Sequence, residues 1–430
     1  MQKKHEESFK VGKYKFSRTK TRVQGETRVF KTKFFTGVVR SVVGFAIVVI
    51  MVGVAFVVGM GLNTHTTFHR KFFVRAENVD TNRPYKSMAV IESSTGRLLA
   101  GYHEHEKLPM ASTTKIMTAI IAIEKTEDLD VLIEVPDVAV GVEGSSMYLR
   151  RGEVLSMRDY LYGLMLPSGN DSAVAIANII AGSEENFALI MNEYASKLGL
   201  NNTHFVTSSG LHDAEHYTTS YDLARLSAYA MGNETFREIV STPSYVIEAK
   251  EKARVFKNKQ KLMHDKDLIS CGILVTGIKS GFTPEAGRCL VTSAEFNGME
   301  VIAVVLNAPQ MFESTASILK ETQQDYKMVE ILFSQQHISK IGVVGGDKNE
   351  INIYSHAGFS YPLTAEEEVV LKIKYNYPPE ISAPVQKEQE IGNVVVELYG
   401  EEIFNTPIRA IESVNENGVE QIINKMIENF

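Results

Sequence analysis

Three short groups of polar residues, around positions 112–115, 168–170 and 279–283 of a 430-residue chain, hold the side-chain types that nucleophilic chemistry needs. In Ser112-Thr113-Thr114-Lys115 the serine and the lysine are three residues apart, so on a helix the amine lies beside the hydroxyl. A serine hydroxyl attacks a carbonyl only with a base in reach, and lysine serves as that base when burial and a second cation keep it neutral. Ser168-Gly169-Asn170 offers a hydroxyl that can relay a proton and an amide that can hold a substrate carbonyl or the Lys115 amine. Lys279-Ser280-Gly281-Phe282-Thr283 supplies a positive charge, two hydroxyls for a carboxylate, and a glycine that lets a substrate backbone approach. The backbone N–H groups of Phe282 and Ser112 together would form an oxyanion hole. Each group alone also has a plain structural explanation: a first-turn serine with a solvated lysine, a helix cap or turn, and the end of a strand.

These residues need elements to bring them together. Ala111 to Glu124 predicts a helix apolar nearly all round, with Ile116, Met117, Ala119, Ile120, Ile121 and Ile123, and such a helix is buried. Upstream, Met88–Glu92 and Leu98–Tyr102 read as a hairpin about Ser93-Ser94-Thr95-Gly96. Further helices are expected at Met157–Met165, Asp171–Ala181 and Glu184–Leu198, strands at Leu274–Lys279, Arg288–Ser293 and Val301–Leu306, and a helix at about Ala316–Phe333. Strands at both ends of a helical middle indicate one mixed α/β (α+β) domain over residues 86–334. From 335 to 411 short alternating runs such as Ile351–Tyr354 and Val394–Leu398 sit between Gly, Pro and Asn, which favours a small all-β sandwich. Within 412–430, Val419, Ile422, Ile423, Met426, Ile427 and Phe430 recur at helical spacing. An end helix packed on the β domain is favoured there over membrane contact.

Hydrophobic residues at 44% and charged residues at 23% are ordinary for a folded chain and exclude extensive disorder. The net charge of -7 conceals an asymmetry: residues 1–40 carry twelve Lys/Arg and three Asp/Glu, a net of +9, and the remainder a net of −16. Such an arm suits nucleic acid or a membrane surface, and the next segment decides for the membrane. Ser41–Leu62 is 22 residues without a charge, enough to cross a hydrocarbon core of roughly 30 Å as a helix. Positive charge before the span puts 1–40 in the cytoplasm and everything after it outside, with 63–85 as a linker. A cleaved signal peptide fits less well, because the leading arm and the apolar run are both too long and no Ala-x-Ala site follows. The expectation is a single-pass cell-membrane protein that contacts lipid through its N-terminal helix and binds no nucleic acid. Cys271 and Cys289 read as two small apolar residues, with a disulfide as the alternative. His103-Glu104-His105 has no third ligand nearby, and no metal or other cofactor is expected.

Taken together, the three groups have the order and spacing of the Ser-x-x-Lys, Ser-x-Asn and Lys-Thr/Ser-Gly set of penicillin-binding proteins and serine β-lactamases. With its flanks, Pro109 to Ala119, Gly210 to Leu223 and Lys279 to Gly287, the chain resembles the low-molecular-mass D-Ala-D-Ala carboxypeptidases over about residues 86–411. Ile381-Ser382-Ala383-Pro384-Val385 is similar to part of that family's C-terminal domain. The resemblance implies a β-lactamase/transpeptidase-like catalytic domain followed by a β-sandwich. It implies peptidoglycan stem peptides as substrate, β-lactams as covalent inhibitors, and an acyl-enzyme on Ser112. Lys115, Ser168 and Asn170 would be catalytic, and Lys279, Ser280, Gly281, Phe282 and Thr283 would bind substrate. Two features depart from the family pattern: Ser280 replaces the usual Thr, and an N-terminal span stands where many members use a C-terminal amphipathic helix. A transpeptidase, a β-lactamase and a non-catalytic penicillin-binding sensor share the motifs. Class A β-lactamases add a Glu-x-x-Leu-Asn segment that is missing between Asn170 and Lys279.

Overall fold

The computed structural model describes residues 7–11, 14–18, 83–248 and 253–418, together with Ile423, Met426 and Ile427. The expected span at 41–62, most of the linker at 63–85 and most of the helically spaced run at 419–430 therefore lie outside the described residues. Among the described residues no single helix is long and apolar enough to cross a membrane. In the first of two compact units, Met1–Val79, strands Glu7–Val11 and Tyr14–Arg18 pair antiparallel. All else described here belongs to the second unit, Asp80–Phe430.

Its first half is built on a five-stranded antiparallel sheet. The strands are β1 (Ser87–Glu92), β2 (Leu98–Tyr102), β3 (Leu274–Thr283), β4 (Gly287–Phe296) and β5 (Met299–Leu306), in the spatial order β2-β1-β5-β4-β3. The sheet is buried on both faces, and the period-2 alternation of β5 divides its side chains between two cores. Ile302, Val304 and Leu306 join a cluster formed with the helical half of the domain, whereas Val301, Ala303 and Val305 join one that includes Ile318 and Leu319. Those two residues lie on α7, as defined below. Because β3 pairs only with β4, its other rim is a sheet edge.

The helical half consists of α1 (Lys115–Lys125), α2 (Met157–Met165), α3 (Asn170–Ala181), α4 (Glu184–Lys197), α5 (Ser220–Met231) and α6 (Glu234–Ser241). As its all-round apolarity predicts, α1 is central, with Ile116, Met117, Ile120 and Ile121 wholly buried. Its first turn differs from expectation, since Ala111–Thr114 is a 3-10 turn that leads into the α-helix. Helices α5 and α6 and the hairpin Ser244–Ile247/Arg254–Lys257 were not foreseen. The helix expected at Ala316–Phe333 is corrected: α7 spans Met311–Asp325, and Lys327–Leu332 is a strand, β6. Met328, Val329, Ile331 and Leu332 form a short apolar run whose pattern suits either state, and pairing with a strand at Phe359–Leu363 decides it.

That strand belongs to the second half, a β-sandwich-like domain. Its strands are β7 (His337–Val344), β8 (Glu350–Ser355), β9 (Phe359–Leu363), β10 (Lys372–Asn376), β11 (Glu380–Ser382), β12 (Glu390–Leu398) and β13 (Glu401–Ala410). Six of them form one sheet in the order β10-β12-β13-β8-β7-β11, and β6 pairs with β9. Ile341, Ile351, Ile353, Val394, Val396 and Ile408 fill its core. Arg97, just before β2, crosses to this half. Its guanidinium donates to the Pro362 carbonyl and pairs with Glu367, while its face lies 4.8 Å from the Tyr361 ring centre and 5.5 Å from that of Tyr326. Glu367 in turn closes a capping box with Thr364 at the start of helix α8 (Ala365–Val370).

Candidate active site

The site forms where the 3-10 turn, the start of α3 and the edge strand β3 meet. Lys115, wholly buried, lies 2.8 Å from the Ser112 hydroxyl and donates to the Asn170 amide oxygen at 2.8 Å and to the Ser209 carbonyl at 2.7 Å. The Asn170 amide orientation follows from its other contact, because Nδ2 donates to the Glu143 carbonyl at 2.7 Å. A neutral lysine has two N–H bonds and one lone pair. The carbonyl-type oxygens of Asn170 and Ser209 can only accept, so they take both N–H bonds and leave the lone pair for the Ser112 proton. Burial holds the Lys115 amine well below the usual lysine range, and the cations Lys279 and Lys259 push it further down.

Gly281 abuts the nucleophile segment: a β-carbon on it would lie 2.9 Å from the Ser112 nitrogen and 3.1 Å from that of Thr113. The Thr113 N–H is taken by the Met110 carbonyl at 3.3 Å, so what this close approach places beside β3 is the first-turn N–H of Ser112. The register pairs Gly281 with Cys289 and Lys279 with Val291, both partners facing the helical core. Lys279 is buried, donates to the Ser280 carbonyl at 2.9 Å, and is pushed down to about 7 by burial and by Lys259. Ser280, half-buried, and Phe282 alternate with Lys279 and Gly281 along the edge strand, and the Phe282 ring is largely exposed. What Phe282 can offer the site is its backbone N–H. Thr283 accepts from the Ala286 N–H at 3.1 Å, which leaves its own proton available to a ligand.

Ser168 is buried in a left-handed conformation, φ 68°, a strained state for serine of the kind that clusters at functional sites. Ser112, Lys115 and Asn170 are thus joined by hydrogen bonds, whereas among the described residues none joins Ser168, Ser280 or Thr283 to them. Asp171 fixes the wall beside Asn170. Its carboxylate accepts from the Ser146 hydroxyl at 2.5 Å and from the backbone N–H groups of Met147 (2.9 Å), Leu149 (3.1 Å) and Ser172 (2.9 Å).

Sequence reasoning missed three contributors. Ser209 acts through its carbonyl, which no side-chain motif can signal. Lys259 donates to the Pro167 carbonyl at 2.6 Å and is the cation that bears on both buried lysines. Asn258-Lys259-Gln260-Lys261 sits where some family members place a basic residue facing the substrate, but the sequence does not assign that role to either lysine. His216, buried behind the nucleophile turn, bonds to Thr114 at 2.7 Å. Both cysteines are free, Cys271 exposed and Cys289 buried in β4, so the disulfide alternative is not realised.

Comparison with known proteins gives the family to which the chain is similar. The family description "D-alanyl-D-alanine carboxypeptidase" matches residues 75–310, and "Penicillin-binding protein 5, C-terminal domain" matches residues 326–416. The D-alanyl-D-alanine carboxypeptidase DacF of Bacillus subtilis is 32% identical over 350 residues, which cover 77% of this chain and 86% of that protein. The crystal structure of penicillin binding protein 5 from Haemophilus influenzae superposes with a TM-score of 0.63 at 25% identity, covering 79% of this chain and 99% of the other. The Streptomyces K15 DD-transpeptidase superposes with a TM-score of 0.52 at 29% identity, covering 57% of this chain and 98% of the other.

Proposed function

The chain belongs to the D-alanyl-D-alanine carboxypeptidase family of serine peptidases, and from that we propose which of its residues do the chemistry and where it is done. The enzyme removes the terminal D-alanine from peptidoglycan pentapeptide stems through a serine acyl-enzyme and binds penicillin covalently.

In our reading, Ser112 is the nucleophile and Lys115 its base. Lys115 takes the hydroxyl proton as Ser112 Oγ bonds to the carbonyl carbon of the penultimate D-Ala. The negative charge that develops on that oxygen is held by the N–H groups of Ser112 and Phe282. Lys279, with the hydroxyls of Ser280 and Thr283, holds the terminal carboxylate, while Gly281 leaves room for the substrate backbone along the strand edge. Ser168 takes the proton held by Lys115 as it passes its own to the departing D-alanine nitrogen and the peptide C–N bond breaks, which returns Lys115 to its neutral form, and Asn170 fixes Lys115. Water then hydrolyses the ester and restores Ser112. The supporting observation is the 2.8 Å contact between Ser112 and a wholly buried lysine whose other two partners can only accept. β-Lactams present the same carbonyl and carboxylate and acylate the same oxygen.

The direct test is D-alanine release from a peptide ending in L-Lys-D-Ala-D-Ala, with the full chain and with Ser112→Ala. One D-alanine per peptide, lost in the variant, supports the assignment. Labelling of Ser112→Ala by a fluorescent penicillin would refute it. A stable penicillin adduct without release would indicate a sensor, and transfer of the acyl group to an added amine a transpeptidase.

For location, we propose that residues 41–62 anchor the chain in the cell membrane with the catalytic domain outside. The support is the basic arm ahead of an uncharged stretch. Protease added to intact protoplasts should remove the catalytic domain and spare residues 1–40; full protection would overturn the orientation.

A further inference from the structure

The peptide that joins Ala111 to Ser112 is held from both sides. A peptide unit is planar and trans, so the Ala111 carbonyl and the Ser112 N–H point in opposite directions, and fixing one aims the other. Ala111 itself has φ 48°, left-handed and strained for alanine, so the helix ladder does not impose this orientation. On the N–H side stands Gly281, as described. On the carbonyl side the Thr114 hydroxyl donates to the Ala111 oxygen at 2.8 Å, and a β-carbon on Gly210 would lie 2.0 Å from that oxygen.

Thr114 has one proton, which goes to Ala111, so its oxygen must accept from its remaining neighbour. That neighbour is Nε2 of His216, 2.7 Å away. The tautomer is determined by the other edge of the ring, where Nδ1 faces the backbone N–H groups of Val206 at 3.0 Å and Thr207 at 3.3 Å and can only accept. The ring proton therefore sits on Nε2, aimed at Thr114. Burial lowers the His216 pKa to about 4, so the imidazole is neutral, in keeping with this arrangement. The result is a one-way chain: the His216 Nε2–H donates to Thr114, and Thr114 donates to the Ala111 carbonyl. A carbonyl that accepts such a bond polarises its peptide and strengthens the N–H at the other end.

We propose that His216 and Thr114 are positioning residues for the oxyanion donor, acting through the Ala111 carbonyl to orient and polarise the Ser112 N–H. The inference rests on the reading of Ser112 as the nucleophile. Neither residue touches substrate. Both act on the transition state, where the N–H meets developing charge, and only weakly on the ground state.

The experiment uses the full chain as wild type, Thr114→Val, Thr114→Ser, His216→Gln and Ser112→Ala. It measures the rate of acylation by a fluorescent penicillin, with kcat and KM for D-alanine release and a thermal melt. Thr114→Val should slow acylation and lower kcat by roughly tenfold to a hundredfold, less than loss of a whole oxyanion donor. KM should stay within about twofold. Thr114→Ser, which keeps the hydroxyl, should recover most of the rate. Wild-type rates in Thr114→Val, a loss not rescued by Thr114→Ser, or a loss borne by KM alone would overturn the proposal. If Thr114→Val shows no melting transition, His216→Gln decides by the same rate and KM criteria. Failure of the underlying reading looks different: penicillin would not label wild type, or would still label Ser112→Ala.

Discussion

Gly281 stands so close to the nucleophile turn that a side chain there would displace the Ser112 nitrogen or be displaced by it. The Gly281→Ala methyl would lie where the oxyanion must meet the Ser112 N–H. Acylation by penicillin and D-alanine release should both fall by at least about a hundredfold, the scale of a lost oxyanion donor. Overpacking of this kind costs typically 1–3 kcal/mol of stability, so the variant should still fold. Near-normal acylation by a folded variant would show that the oxyanion sits elsewhere.

Lys115→Met keeps much of the volume and removes the base. Acylation should slow by roughly 10²–10⁴-fold, the usual contribution of a positioned general base. The Asn170 and Ser209 oxygens lose their buried donor, at about 1–3 kcal/mol each, so the melting temperature should fall while the variant still folds. A stopped-flow acylation rate within tenfold of wild type would assign the proton to another group.

In the proposed mechanism the two buried lysines work in opposite protonation states, which would give kcat/KM a bell-shaped pH profile. Lys115 must be neutral, so the rate rises as pH passes upward through its depressed pKa. Lys279 must be charged to hold the carboxylate, so the rate falls as pH rises through about 7. Because kcat/KM reports the free enzyme, this limb belongs to the enzyme without substrate. Lys279→Arg, charged at all these pH values, should keep the acid limb and lose the alkaline one. A wild-type profile still climbing above pH 8 would contradict the assignment.

His216 links acid to unfolding. Its folded pKa of about 4 lies below the unfolded value of about 6.5, so the unfolded chain takes up a proton first. The stability from keeping the ring neutral is complete above pH 6.5 and is lost as pH falls toward 4, in total on the order of 3 kcal/mol. Urea melts at pH 7 and pH 4.5 should show this difference in wild type and a smaller one in His216→Gln. Equal differences would place the linkage in other groups.

The contact between Ser112 and Lys115 was legible because it is local: a serine and a lysine three apart on a helical turn need no tertiary information to meet. The buried character of α1 and the period-2 strands could be read for the same reason. What could not be read acts through backbone or through distance. Ser209 contributes a carbonyl that every residue type carries, and His216 lies 102 residues from its Thr114 partner. Helix α5 buries Ser220, Asp222 and Ser227 among its apolar residues, which blurs its period, and α6 has only eight residues, too few to establish one. The boundary near Asp325 failed because a short apolar run does not reveal whether a helix continues or a strand begins.

The Arg97–Glu367 pair has a mechanical consequence. Both side chains are nearly inaccessible, 8% and 4% exposed, and the arginine is also held between two tyrosine rings. Swinging the halves apart would part this pair, uncover the two tyrosine faces and return both charges to water. The C-terminal domain is thus latched to its neighbour at one specific point rather than tethered by the chain alone.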